Sequence, residues 1–198
     1  MDVESIKKNY RNFEDYQIID LANSDARSLR PEIIPVLVEE IKRRNLPENL
    51  LNGIQAQLKV PTPEEIDEYC SIIRNQACTD CQSKTHKLNA IVVKAVTSMI
   101  FLTQSTAKIK IVCPDCLEKH KSNANSKSML LGWWAFPWGP IKTVQALISN
   151  SKMTKHIRLN HPNIILQSFV YENIGFLETN RENPSAIKQL LVRTNNPA

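Results

Sequence analysis

Two short cysteine pairs constrain this chain more than anything else in it: Cys78-Thr-Asp-Cys81 and Cys113-Pro-Asp-Cys116. Each pair presents two thiols from one tight turn, and the segment between the pairs is rich in β-branched and apolar residues. A tetrahedral zinc ion takes four such soft ligands at about 2.3 Å, and two Cys-x-x-Cys turns joined by strands are the usual way a chain supplies them. The pattern therefore predicts one structural Zn²⁺ held by Cys78, Cys81, Cys113 and Cys116. A site with four thiolates leaves no open position for chemistry, which argues for scaffolding over catalysis.

The intervening residues fit that reading. Leu88–Val96 and Thr97–Thr103 are strand-like, Gln104-Ser105-Thr106 reads as a polar break, and Lys108-Ile109-Lys110-Ile111 alternates with Ile109 and Ile111 inward. Two or three antiparallel strands are expected, followed by a helix over 117–130. The fold class expected is α+β, mostly helical with a small central antiparallel zinc-ribbon sheet.

Before the ribbon, residues 1–12 read as a loose lead-in. Phe13–Ala22 reads as a short helix, Pro31 to about Asn45 as a second and 46–58 as a third. Thr62-Pro63-Glu64-Glu65 carries the signature of a capped helix start, with Thr62 as N-cap and Glu65 completing a capping box. Ile66, Tyr69, Cys70 and Ile73 then fall on one face, so the fifth cysteine reads as a buried hydrophobe. Beyond the ribbon, 144–148 lies in a helix, 156–163 reads as a loop, and 164–177 and 185–192 read as closing helices. This divides the chain into an acidic helical part (1–60), the ribbon with its flanking helices (61–150) and a helical C-terminal part (151–198).

Charge is unevenly spread. Residues 1–76 carry ten Lys/Arg against fourteen Asp/Glu, 77–161 carry twelve against three, and 162–198 balance. A zinc bound by four thiolates adds −2 to the +9 of the middle, leaving it near +7. Such a surface suits an anionic membrane or nucleic acid. The only arginine there is Arg158; phosphate forks and base readout favour arginine, and the only ring near Lys108 and Lys110 is Phe101, so nucleic acid is the weaker partner. Four glycines, at 53, 132, 139 and 175, cannot build a Walker or dinucleotide-binding loop. The first ten residues lack the apolar core of a secretory signal, and the cysteines favour metal over disulfides, so a cytoplasmic location is expected.

Residues 129–141 form a thirteen-residue uncharged run containing Trp133, Trp134 and Trp138, too short to span a bilayer. A packed corner is the leading reading of this run. Shallow insertion at a membrane surface, with Lys119, Lys121, Lys127 and Lys142 toward anionic lipid, and a protein- or ligand-binding groove are the alternatives. These seven residues are the candidate interaction surface. His86 and His120 are surplus to a four-thiolate site and are expected at the surface, His156 and His161 are spaced unlike a finger, and Glu39-Glu40 and Glu64-Glu65-Asp67-Glu68 read as exposed helix faces. Cys113 and Cys116, between a strand and a helix start, also carry a thiol-redox alternative.

Two stretches resemble known groups. The block Cys113-Pro-Asp-Cys116 followed by Leu131-Gly-Trp-Trp-Ala-Phe-Pro-Trp-Gly-Pro-Ile-Lys-Thr143 is similar to an uncharacterised bacterial zinc-ribbon-like family. The opening, from Asn12-Phe-Glu-Asp15 to Leu46, resembles a short helical module at the N-termini of uncharacterised bacterial proteins. The first resemblance implies a ribbon fold with the four cysteines as ligands, and implies no activity. The function expected is that of a non-enzymatic binding or adaptor protein, with a protein or an anionic membrane surface as partner and no small-molecule substrate.

Overall fold

The computed structural model describes residues 2–99 and 102–197; Phe101 lies outside them. Its described residues form ten α-helices and one two-stranded antiparallel sheet, so the chain is α+β and mostly helical. It divides into two compact units, Met1–Tyr69 with Ser168–Ile187, and Cys70–Gln167 with Lys188–Ala198.

The first unit is built from α1 (Val3–Asn12), α2 (Asp15–Asp20), α3 (Ile34–Arg43), α4 (Asn49–Leu58), the start of α5 (Pro63–Arg74) and α9 (Ile174–Thr179). Its core gathers Ile18, Ala22, Ile33, Leu37, Ile41, Leu50 and Ile54. The expected loose lead-in is a helix instead. Asp2 caps α1 by accepting from Ser5 N at 2.7 Å, Lys7 reaches Glu39, and Tyr10 is buried in the core. The cap and a stripe of Val3, Ile6 and Tyr10 at i, i+3 and i+7 hold this helix, with Tyr10 in the core and Ile6 packed against it. A single π-helical turn, Leu21–Asp25, follows α2. The capping box at α5 forms as read, with Thr62 N donating to Glu65 Oε2 at 2.9 Å and Glu65 N to Thr62 Oγ1 at 3.3 Å. Cys70 is fully buried. The expected helix over 164–177 breaks at Asn173, giving α8 (Ile164–Glu172) and α9, because the Asn173 side chain turns back onto Phe169 O and its backbone leaves helical geometry.

Helices α4 and α9 meet backbone to backbone. A Cβ on Gly53 would lie 2.7 Å from Gly175 O, and one on Gly175 would lie 2.5 Å from Asn23 O and collide with the Gln57 amide. Gln57 is itself buried and donates to Ala22 O and Gly53 O.

Glu40 is not on an exposed face. It is 4 % exposed, and its carboxylate takes both forks of Arg43 and the Nε of Arg44, while Arg44 also donates to the carbonyls of Tyr10 and Phe13. Hydrogen bonds from Arg43 and then Arg44 hold its pKa down to about 2, against the opposing effect of burial. A carboxylate depressed on folding stabilises the protein above its unfolded value of about 4.5, and that contribution vanishes as pH falls through about 2. Glu40→Gln is therefore expected to cost on the order of 2–3 kcal/mol at pH 7. In urea titrations the gap to wild type should narrow below pH 4.5; a gap independent of pH would show that packing, not charge, carries the effect.

The second unit is a long hairpin braced by helices. Strand β1 (Asn89–Met99) pairs with β2 (Leu102–Val112) in unbroken register from Asn89↔Val112 to Met99↔Leu102. The polar residues 104–106 do not interrupt β2. Gln104 and Ser105 are exposed, while Thr106 is half-buried and its hydroxyl donates to Ala95 O of β1, so polar side chains fit this edge strand. Ile111 is fully buried and Ile109 half-buried. Helix α6 (Pro114–Leu131) runs from the cysteine end of the hairpin toward its tip. A tight turn follows, and α7 (Trp138–Ile157) returns, crossing α6 where Asn150 Nδ2 donates to Asn125 Oδ1 at 2.8 Å. Both helices pack on β1. The expected loop at 156 starts later, since His156 and Ile157 complete α7.

Asparagine side chains close the strand edges. Asn150 accepts from Lys94 N at 2.8 Å and donates to Lys94 O at 2.7 Å, copying a neighbouring strand. Asn163 donates to Ala90 O, and Ser128 Oγ accepts from Val96 N. On the far edge, Asn195 of α10 (Pro184–Asn195) accepts from Ile111 N at 2.7 Å and donates to Ile111 O at 2.9 Å. At these positions the side chains supply the partners that a third strand would otherwise supply.

Candidate metal centre

The open end of the hairpin brings the four paired cysteines together. Cys78, Cys81, Cys113 and Cys116 have their sulfurs within 4.8 Å of one another, with Cys81 Sγ to Cys113 Sγ at 3.7 Å. A tetrahedron with metal–sulfur bonds of about 2.3 Å has sulfur–sulfur edges of roughly 3.8 Å, so the Cys81–Cys113 pair already has that spacing and the wider pairs need to close by no more than about 1 Å. Cys78 and Cys113 are buried, Cys116 is half-buried and Cys81 faces solvent. The four residues form a site that can hold one metal ion.

Local structure places them. In the first turn, Gln82 N bonds Cys78 O and Cys78 N bonds Ser83 O, with Gln82 at φ 60° closing the loop. In the second, Cys113 is the N-cap of α6, Pro114 its first residue, and Leu117 N returns to Cys113 O. The turns are braced against each other: Asp80 pairs with His120 at 2.5 Å, and Cys113 N points at Cys78 Sγ at 3.4 Å. Asn195 donates to Thr79 Oγ1, and Lys188 to Gln82 Oε1. Asp80, His120 and Asn195 are supports that the cysteine spacing does not reveal, although an aspartate inside one Cys-x-x-Cys turn is a natural holder for a nearby histidine.

The electrostatics favour a cation. Burial pushes the Cys78 thiol up, but backbone N–H groups of Cys113, Cys81 and Asp80 outweigh it and leave Cys78 below its ordinary value. Burial pushes Cys113 and Cys116 up, and neighbouring sulfurs push Cys116 further. Four thiolates this close do not ionise together unless a positive ion sits among them. Raised thiols at Cys113 and Cys116 are also the opposite of what activates a redox cysteine.

The histidines lie outside the cluster. His120 is half-buried against Asp80, His86 is exposed at 3.9 Å from Asp115, and His156 and His161 lie on and just beyond α7.

The tryptophan run lies at the opposite end of the hairpin, roughly 34 Å away by the length of eleven strand residues. It is not a packed corner. Trp133, Trp134, Phe136 and Trp138 are 45, 70, 91 and 62 % exposed, while Gly132, Ala135 and Gly139 face inward. The backbone comes too close for larger residues, because a Cβ on Gly139 would lie 2.7 Å from Gly132 O. Ser98 Oγ of β1 donates to Gly132 O at 2.9 Å and fastens the turn to the hairpin tip, where Met99 and Leu102 are also exposed. With small residues taking the inside positions, the rings have only the outside.

The lysines divide. Lys127 lies one turn before the end of α6 and Lys142 one turn into α7, so both flank the tip. Lys119 and Lys121 lie toward the cysteine end, about 12 and 9 Å from Lys127 along the helix, and Lys121 is engaged with Thr154 Oγ1. Among the described residues no helix is long and apolar enough to cross a membrane. The chain matches no protein-family model, no curated protein and no solved structure.

Proposed function

We propose that this is a non-enzymatic, cytoplasmic adaptor built on a structural zinc ribbon, akin to the zinc-ribbon-like group with the Gly-Trp-Trp and Pro-Trp-Gly signature, that rests on an anionic membrane surface through its hairpin tip. One observation carries the reading: Trp133, Trp134, Phe136 and Trp138 emerge on a single uncharged turn beside exposed Met99 and Leu102. Monomeric soluble proteins seldom expose so continuous an apolar patch without a use for it. Tryptophans flanked by lysines suit the headgroup boundary, where ring and ammonium each find their preferred medium. Zinc suits four thiolates in a closed tetrahedron, and its contribution is to hold the far end rigid so that the tip is presented in one orientation.

A nucleic-acid ribbon is less well supported. Lys110 is half-buried and its Nζ is taken by Asn195 O, leaving Lys108 as the exposed cation of that pair.

Tryptophan emission should move to shorter wavelength with vesicles containing anionic lipid, and less with purely zwitterionic ones. Trp134→Ser and Phe136→Ser should each weaken partition by about 2 kcal/mol, roughly thirty-fold. Unchanged emission with both vesicle types would overturn the membrane reading and turn the search to a protein partner for the same tip.

A further inference from the structure

A second feature lies near the cysteine end and involves neither the metal ligands nor the tip. A cleft of about 310 Å³ is lined by Arg74, Thr85, His86, Lys87, Arg158 and Asn160 among others, with no carboxylate among the described residues that line it. Its unusual member is Arg74, the last residue of α5. Arg74 is 7 % exposed; its Nη2 donates to Asn160 O at 2.9 Å, and its Nη1 is buried with no hydrogen-bond partner.

A guanidinium cannot shed its charge at neutral pH, so burying one without an anion is costly. The same chain shows how it treats a buried arginine whose role is structural: Arg44, 11 % exposed, is taken by Glu40, Asp15 and several backbone carbonyls. Arg74 has no carboxylate partner among the described residues, and burial draws its pKa below the ordinary arginine value. The other cations of the cleft are differently placed. Lys87 Nζ donates to Asn75 Oδ1 and keeps its charge uncompensated by an acid. Arg158 is held outside by Asp115 and Glu118 at 3.0 and 2.9 Å, so it contributes little net charge. His86 stands 3.9 Å from Asp115, and the Thr85 hydroxyl pairs with Ser83 Oγ.

We propose that this cleft binds a phosphate-type oxyanion, free or as a small phosphomonoester, with Arg74 as its buried anchor and Lys87 and the Thr85 hydroxyl at its rim. A guanidinium charge that no carboxylate meets, at the wall of a cleft whose rim carries a lysine and a hydroxyl, suits a tetrahedral oxyanion. The volume is at the lower end of the range of roughly 300–1,000 Å³ typical of small-molecule sites, enough for the oxyanion and a short attached group. The site is independent of membrane binding, so neither proposal depends on the other.

Calorimetric titration of the full-length, metal-loaded protein with inorganic phosphate, against sodium chloride at matched ionic strength, tests it. A saturable one-to-one heat with phosphate and none with chloride is expected. Arg74→Met should abolish that heat, and Lys87→Gln, an exposed position that leaves the fold intact, should weaken binding about tenfold. O-phosphoserine in a parallel titration distinguishes the sources: binding at least as tight as phosphate assigns a phosphomonoester, and weaker binding assigns the free ion. Absence of a saturable heat with either ligand, or heats unchanged in both variants, would overturn the assignment.

Discussion

Replacing Cys113 with serine is expected to abolish metal retention and to unpack the hairpin unit. Cys113 is 3 % exposed, caps α6, and contributes one of the four clustered sulfurs. A structural zinc in such a cluster contributes on the order of 10 kcal/mol to folding, more than most domains have to spare. The control is Cys70→Ala, which removes an equally buried sulfur outside the cluster and should cost only about 1–2 kcal/mol with metal content unchanged. Metal analysis of the purified variants, paired with near-ultraviolet circular dichroism, reads both effects. A Cys113→Ser protein with native tertiary spectrum and no metal would show that the hairpin stands without an ion. Acid should release the ion as well. Metal binding requires thiolates, and burial makes Cys113 and Cys116 reluctant to give up their protons.

The other large effect is expected in the first unit. Gly175→Ala adds a methyl where Asn23 O would lie 2.5 Å away and the Gln57 amide closer still. Backbone cannot rotate aside as a side-chain tip can, so α9 must move away from the π-helical turn that carries Asn23, and Gln57 would lose its bonds to Ala22 O and Gly53 O. A loss of about 3 kcal/mol, seen as a lower urea midpoint with unchanged slope, is expected. Because Gly175 and the cysteines lie in different units, this variant should keep its metal. A midpoint equal to wild type would show that α9 has room to shift off that turn.

Some of this architecture is legible in the sequence, and the reasons are local. Paired cysteines advertise themselves because two turns must each present two thiols. The α5 capping box and the Cys70 stripe follow from helix period and end chemistry, which neighbours in sequence decide. What remains hidden depends on residues far apart along the chain. The first helix is secured by Lys7 reaching Glu39 and by Arg44 reaching back to Tyr10. The indoles face outward because Gly132, Ala135 and Gly139 occupy the inside, a choice that a run of apolar letters does not reveal. Arg74 did carry a signal. It continues the series Ile66, Tyr69, Cys70, Ile73 at the next stripe position, where a charged residue is out of place unless something meets it.

The asparagine that seals β2 has a consequence in time. Asn195 lies 84 residues after Ile111, the residue it pairs with, and Asn163 comes 73 residues after Ala90. At ribosomal rates of about 5–20 residues per second, Ile111 therefore waits roughly 4–17 seconds for its partner to be made. Throughout that interval the hairpin can zip and the cysteines can gather, yet its outer edge stays open to any other extended chain nearby. Lys108, on that edge, is a charge of the kind that discourages such pairing. The nascent chain is thus guarded first by a lysine and only at the end by an asparagine.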